Sequence, residues 1–295
     1  MSRIQVKDRA GATMEVADVG GFIVPFFMMS GPEVKEVFEH VPKQKFRDDD
    51  IMLLTFPKTG TNWMFEILSM VLNKTSEYVE SRKVMTMMDA RKPEQIEEVP
   101  SPRIMNVHLP YRYLPLEGLK EKQTKTILCV RNPKDTAVSY YNHVRGIKMY
   151  QYSGQWNDWF PAYVSGELEY GKYTDYLKEF ETAIKDGIGF PLHVVYFEDL
   201  KTNGLEELDK LLKFLEIDLD DEMKKDIMHK CGFDQMAKKH NPMAEKMLNE
   251  GFKFLRKGTI GNWKTWFTVA QNEEFDRIWE SEMKGYDMFK FRYTM

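Results

Sequence analysis

The chain has 295 residues, 42% of them hydrophobic and 30% charged, a composition that suits a globular fold with a sizeable core. A net charge of −4 excludes a global attraction to nucleic acid or to an anionic membrane, so any anion site must be a local gathering of cations. Two cysteines make no disulfide framework and point to a reducing, cytoplasmic setting.

The N-terminal stretch "MSRIQVKDRAGATMEV" lacks the apolar core of a secretion signal. The most apolar stretch, "GGFIVPFFMM", is too short to span a bilayer and is broken by Pro25. No linker, low-complexity tract or repeat interrupts the chain, so residues 1–295 are expected to form a single domain. "DDDIMLLTF" passes from a polar run into a buried strand at 51–56. The helix after it carries Met64, Ile67, Leu68, Val71 and Leu72 on one face. In "MNVHLPYRYLP" an apolar, strand-like segment ends at His108, just ahead of Pro110. "KTILCV" at 125–130 reads as a strand followed by "RNPKDTAVSYYNH", where Pro133 suits the first turn of a helix and Asp135 its positive end. "LHVVYF" at 192–197 is a further strand, and Leu205, Leu208, Leu212 and Leu215 mark an amphipathic helix after it. Strands alternating with helices predict an α/β fold, a central mostly parallel sheet flanked by helices. Ligands in such folds sit beyond the carboxyl ends of the strands, where "PKTGT" and "RNP" both fall.

"TFPKTGTNW" has the outline of a P-loop: strand, short turn, helix. Gly60 lets backbone approach a ligand, and Thr59, Thr61 and Asn62 offer donors at a helix N-terminus that favours an anion. Lys58 adds a full charge. The lysine precedes the glycine, so this is not the G-x-x-x-x-G-K-[ST] loop of a magnesium-dependent nucleotide kinase. Alone, the stretch could equally be an ordinary turn. Arg131 at a strand's end, with Ser139 about two helical turns on, can grip a second phosphate. "RKGTIGNW" offers Arg256, Lys257 and the permissive backbone of Gly258. Three such sites suit a ligand with well-separated anionic groups.

Together these stretches resemble the cytosolic sulfotransferases, over nearly the whole chain from residue 51 onward. "TFPKTGTNW" is similar to the family's 5′-phosphosulfate loop, "RNPKDTAVSYY" to its 3′-phosphate motif, and "RKGTIGNWKTWFT" to its C-terminal cofactor motif. The resemblance implies a donor, 3′-phosphoadenosine 5′-phosphosulfate (PAPS), a product, PAP, a small-molecule acceptor with a hydroxyl or amine, and no metal. It implies that Lys58, Thr59, Gly60, Thr61, Asn62 and Trp63 hold the 5′ end, Trp63 stacking on adenine. Arg131, Ser139, Arg256, Lys257 and Gly258 would hold the 3′-phosphate, while Phe197, Phe233, Met236, Phe254 and Leu255 complete the nucleotide site. His108 matches the family's catalytic base in its "THLP"-like motif, and Lys58 and Ser139 complete the catalytic set. Phe197 stands where the family usually has tyrosine, and Cys231 and Gly232 replace a hydroxyl pair, so weaker PAPS binding is expected. Asn106 occupies a place often held by lysine.

The resemblance also implies an acceptor pocket built from Pro57, His108, Tyr141, His143, Met149, Met243 and residues near "FIVPFFMM" in the N-terminal segment 1–45. His143 lies where relatives often have an aromatic, which suggests an acceptor more polar than a simple phenol. Residues 236–257 resemble a mobile lid. "KTWFTVAQNE" matches a short homodimer motif through Lys264, Thr268, Val269 and Glu273.

Overall fold

In the computed structural model, which describes residues 2–27, 29–79 and 83–294, the strands form two sheets. The first is an antiparallel meander of β1 (Ser2–Lys7), β2 (Thr13–Val19) and β3 (Phe22–Val24). Gly20 and Gly21 close its second hairpin with φ of +65° and +90°, the left-handed pair that a two-residue turn requires. The Gly21 N–H donates to the Asp18 carboxylate at 2.6 Å. This sheet was not expected from the sequence. Its signature was the glycine pair beside the alternating "TMEVADV", whose Met14, Val16 and Val19 are buried.

The second sheet is wholly parallel, in the order β5 (Ile104–Val107), β4 (Ile51–Thr55), β6 (Thr126–Val130), β7 (Leu192–Tyr196). Strands and their intervening helices follow the expected alternation; β4 and β7 end one residue short of the apolar runs that marked them, and β6 starts one residue late and ends with its run. Every residue of β4, β5 and β6 is buried, as a sheet covered on both faces demands. Side chains of period two divide β4 between two cores. Ile51 and Leu53 pack with Met64, Phe65, Ile67 and Leu68 of the helix Thr61–Leu72 and with Leu208, Leu211 and Leu212. Met52 and Leu54 face the larger core, which includes the N-terminal meander and the aromatic residues of the helices Pro133–Gly146 and Trp156–Ser165. In the helix Gly204–Leu215 the buried stripe is Leu208, Leu211, Leu212 and Leu215; Leu205, in the first turn, is exposed.

At the amino ends of the strands, Arg103 is fully buried and forks onto Asp50, Nε at 2.9 Å and an Nη at 2.6 Å from its two oxygens. Since Asp50 precedes β4 and Arg103 precedes β5, this pair pins the two strand starts together. The carboxyl ends are left to the site. No helix among the described residues is long and apolar enough to cross a membrane. Cys129 and Cys231 are free and buried.

Candidate active site

β4 ends at Thr55 because the Phe56 carbonyl turns into the loop, accepting the Thr59 N–H at 3.2 Å and the Thr59 hydroxyl at 2.8 Å. That hydroxyl also lies 2.9 Å from the Cys129 carbonyl, so the buried Thr59 side chain ties the loop to β6 and lies off the cavity wall. Lys58 is held at φ +72° and Gly60 at +123°. A lysine in the left-handed region costs of the order of 1 kcal/mol and persists only where its surroundings enforce it. A Cβ on Gly60 would stand 3.2 Å from both Cys129 Sγ and Phe197 Cδ2. The helix Thr61–Leu72 then begins without a side-chain cap, and its first residues, Thr61 to Trp63, line a deep cavity. Uncapped N–H groups and the helix dipole make that wall receptive to an anion.

β5 delivers His108 to the same cavity. Its Nδ1 lies 2.9 Å from the Thr55 carbonyl oxygen and 2.9 Å from Thr55 Oγ1, which in turn meets Thr61 Oγ1 at 2.9 Å. A carbonyl oxygen can only accept, so Nδ1 carries the proton and Nε2 keeps its lone pair. Among the described residues Nε2 has no hydrogen-bond partner. Burial and then the charge of Lys83 hold the imidazole well below its usual pKa, the Thr55 carbonyl opposing them. His108 is therefore neutral at physiological pH.

Lys83 was not anticipated. Asn106, the residue standing where lysine is common, donates its amide to the Lys83 carbonyl at 2.9 Å and to Thr86 Oγ1 at 3.2 Å. It thereby fixes the turn that brings Lys83 to the cavity wall. Burial lowers Lys83 to about 8. Lys58 falls to about 7, through burial first and then the charges of Lys83 and Arg131. Burial also lowers Arg131, and lowers Arg256, whose next cause is Arg131 itself. None of Lys58, Lys83, Arg131, Arg256 and Lys257 forms a salt bridge among the described residues. Arg131 Nε is buried with no partner, and its other contacts are long, 3.3 Å to the Lys58 carbonyl and 3.4 Å to that of Thr259. Cations gathered this closely and left unpaired repel one another until an anion arrives.

Asp135 brings the C-terminal motif to this place. It sits in the first turn of the helix Pro133–Gly146, whose cap Asn132 accepts the Asp135 N–H at 2.8 Å. Its carboxylate accepts the N–H groups of Gly261 at 2.7 Å and Trp263 at 2.8 Å. The stretch Arg256–Gly258 is thus carried to Arg131 and Ser139. Gly258 has φ +61°, and a Cβ there would stand 2.3 Å from the Phe233 ring. Arg131 stacks over Phe197 at 4.1 Å, and Trp63 meets Phe197 edge-on at 5.1 Å. Gly232 caps the helix Phe233–Ala244 without a side-chain bond, and Cys231 Sγ is directed at Met70 Sδ, 3.7 Å away.

Of the expected site residues, Pro57, Lys58, Gly60, Thr61, Asn62 and Trp63 line the cavity. So do His108, Arg131, Ser139, His143 and Phe197, and from the C-terminal third Phe233, Met236 and Phe254 to Gly258. Three besides Thr59 lie off the lining. Tyr141 is buried in a cluster with Trp156, Trp159 and Trp266 and donates to the Gly154 carbonyl at 3.1 Å. Met149 is half-buried against the larger core, and Met243 is exposed. Phe27 reaches the cavity from the N-terminal segment; Met28 of "FIVPFFMM" lies outside the described residues. Within residues 236–257, Met236, Leu248 and Lys253 to Lys257 line the cavity, Asn241 and Leu255 exchange hydrogen bonds of 3.1 and 2.8 Å, and Asn249 donates to the Gly146 and Arg145 carbonyls. Lys264, Thr268, Val269 and Glu273 are all on the surface, Val269 at 76% exposure. Sequence reasoning missed Lys83, Tyr150, Glu169 and Tyr170 on the wall. The glycine-flanked "GELEYGK" was the one available sign of the last two.

Residues 48–287 match the family model of the sulfotransferase domain. Sulfotransferase 1B1 of Canis lupus familiaris is 35% identical over 266 residues, which cover 84% of this chain and 88% of that relative. Sulfotransferase 1A1 of Mus musculus is 36% identical over 262 residues, 83% and 87% of the two chains. Among solved structures, a mouse sulfotransferase complexed with PAP is similar with a TM-score of 0.77 at 24% identity, over 92% of this chain and 95% of that one. Retinol dehydratase in complex with androsterone and inactive cofactor PAP gives 0.77 at 16% identity, over 98% and 92%. At such identities the likeness is one of fold. The chain therefore belongs to the sulfotransferase family and is an enzyme of that family, a PAPS-dependent transferase.

Proposed function

We propose that this chain moves the sulfuryl group of PAPS to a hydroxyl or amine of a small-molecule acceptor, with His108 as the base and with no metal. The observation that carries the reading is the His108 ring, neutral, with its Nδ1 proton engaged by Thr55 and its Nε2 free, on the same cavity wall as the unpaired Lys58. His108 Nε2 takes the acceptor's proton as the acceptor atom bonds to sulfur and the bond from sulfur to the 5′-phosphate oxygen breaks. Lys58, with the donors of Gly60 to Trp63, stabilises the charge that this oxygen acquires. Thr59 serves by holding the loop. Lys83 adds a second cation near the base.

Arg131, Ser139, Arg256, Lys257 and Gly258 take the 3′-phosphate, which answers the repulsion among those cations. Trp63, Phe197, Phe233 and Met236 surround the adenine, and Phe254 and Leu255 close over it as part of a lid at 236–257. Phe197, Cys231 and Gly232 leave the nucleotide fewer hydroxyl partners than the family pattern, so its binding is weakened. The protein works in the cytoplasm as a homodimer through Lys264, Thr268, Val269 and Glu273.

Transfer of labelled sulfate from PAPS to a panel of phenols, alcohols and amines, with EDTA present, tests the reading. Label should reach at least one acceptor at a rate that EDTA leaves unchanged. A folded sample that labels none of them, or that needs magnesium and ATP, sinks it.

A further inference from the structure

Glu169 is the cavity-wall group that the transfer chemistry does not use. It is fully buried, lines the cavity, and neither of its carboxyl oxygens accepts a hydrogen bond among the described residues. Among the described residues no lysine, arginine or histidine pairs with it. The groups facing it are phenols: Tyr140 from the helix Pro133–Gly146, Tyr150 from the turn after that helix, and Tyr170 beside it in the chain. The Tyr140 hydroxyl is engaged at 3.0 Å with the Glu169 backbone carbonyl. That of Tyr170 donates to Asp89 at 2.7 Å. Tyr170 itself is held at φ +66° with its ring 5.5 Å from that of His108, so the turn that presents Tyr170 to the base also sets Glu169 in the wall. An unpartnered buried carboxyl is costly. It is also the wrong sign for the anionic donor, whose cations Lys58, Lys83 and Arg131 line the same cavity.

We propose that Glu169 selects the acceptor, and that the acceptor is a hydroxy compound that also carries a protonated amine. An ammonium group supplies the donors and the charge that the carboxyl lacks, whereas a neutral apolar acceptor leaves it unsatisfied. Burial raises Glu169 to about 7, and the polar groups nearest it, its own backbone N–H and then the Tyr140 and Tyr150 hydroxyls, oppose the rise without completing a hydrogen bond to either carboxyl oxygen. Selection for a cation therefore strengthens from pH 6 to pH 8 as the carboxyl ionises. This assignment rests on the proposed transfer reaction and concerns only which acceptor it takes.

The test compares tyramine with 4-ethylphenol, which share ring and chain and differ in the ammonium. The ratio of their kcat/KM values is read at pH 6 and pH 8 for the wild type and for Glu169→Gln. The wild type at pH 8 should favour tyramine by about tenfold or more, as expected for one desolvated ion pair. The preference should shrink at pH 6, and the substitution should bring the ratio at pH 8 close to unity. A wild-type ratio at or below one at pH 8, or an equal ratio in the two proteins, overturns the proposal, and the wild-type measurement stands even if the variant does not fold. Binding of the two compounds to the complex with PAP gives the same ratio without turnover. Failure to transfer to any acceptor thus falls on the reaction, and an unselective binding ratio falls on Glu169.

Discussion

At the scale of single residues, Thr55 and Lys58 show how position in β4 and its loop becomes chemistry. The Thr55 carbonyl, one residue before the chain turns, decides which imidazole nitrogen of His108 is free. Replacing His108 by alanine should lower kcat by about 10²- to 10⁴-fold while PAP binding stays within a few-fold; turnover close to wild type would show that the base is another group. Because burial and Lys83 depress His108, kcat should hold level on the acid side to well below pH 6.5. Lys58, at about 7 in the free protein, has the opposite consequence. A bound anion favours the charged amine and raises its pKa, so binding takes up a proton wherever the free lysine is neutral. The Kd for PAP should therefore rise as pH goes from 7 to 9, by up to about tenfold per unit for each lysine so coupled, and level off below pH 6. Titration calorimetry in buffers of different ionisation heat measures the proton uptake at pH 8, and Lys58→Met should diminish it. A Kd independent of pH in this window would show that Lys58 does not meet the nucleotide's charge.

At the scale of elements, the parallel strands bring "PKTGT", "NVHLP" and "RNP" to one edge, as the strand–helix alternation of the sequence predicts. The C-terminal motif reaches that edge by a different device. Asp135 reads, in sequence, as a residue that complements the positive end of its helix. In the structure it also binds two backbone N–H groups more than a hundred residues away, at Gly261 and Trp263. Removing a buried, multiply bonded carboxylate leaves those donors unsatisfied. Asp135→Ala should cost about 2–4 kcal/mol and, by releasing Arg256–Gly258, raise the Kd for PAP by tenfold or more. Thermal melts with and without PAP separate the two effects: a variant that loses stability yet keeps its PAP affinity would show that the motif is placed by other contacts. No pattern in the sequence could disclose this bond, because it joins segments that only the folded chain brings together.

Across the whole molecule, the two ends of the parallel sheet do different work. The amino ends carry the enclosed Arg103–Asp50 pair, remote from the cavity. Arg103→Ala strands a buried carboxylate and should destabilise the fold by about 3–5 kcal/mol, seen as a lower melting temperature, with little change in the KM for PAPS below the melt. Val269, the most exposed large apolar side chain among the described residues, stands at the surface, as do Lys264, Thr268 and Glu273. If two copies meet there, Val269→Glu should shift sedimentation equilibrium from dimer to monomer at micromolar concentration. A wild-type chain that is monomeric under those conditions would refute the interface. What the sequence determined by itself was local and periodic: the apolar runs that become strands, the glycine and proline positions that shape turns, and the order of anion-binding motifs along the chain. The tertiary structure alone decided which side chains share a cavity. Thr59 and Tyr141 are turned away by their own hydrogen bonds, Lys83 is drawn in by Asn106, and Glu169 has no cationic partner among the described residues, since desolvation and charge proximity depend on neighbours distant in the chain.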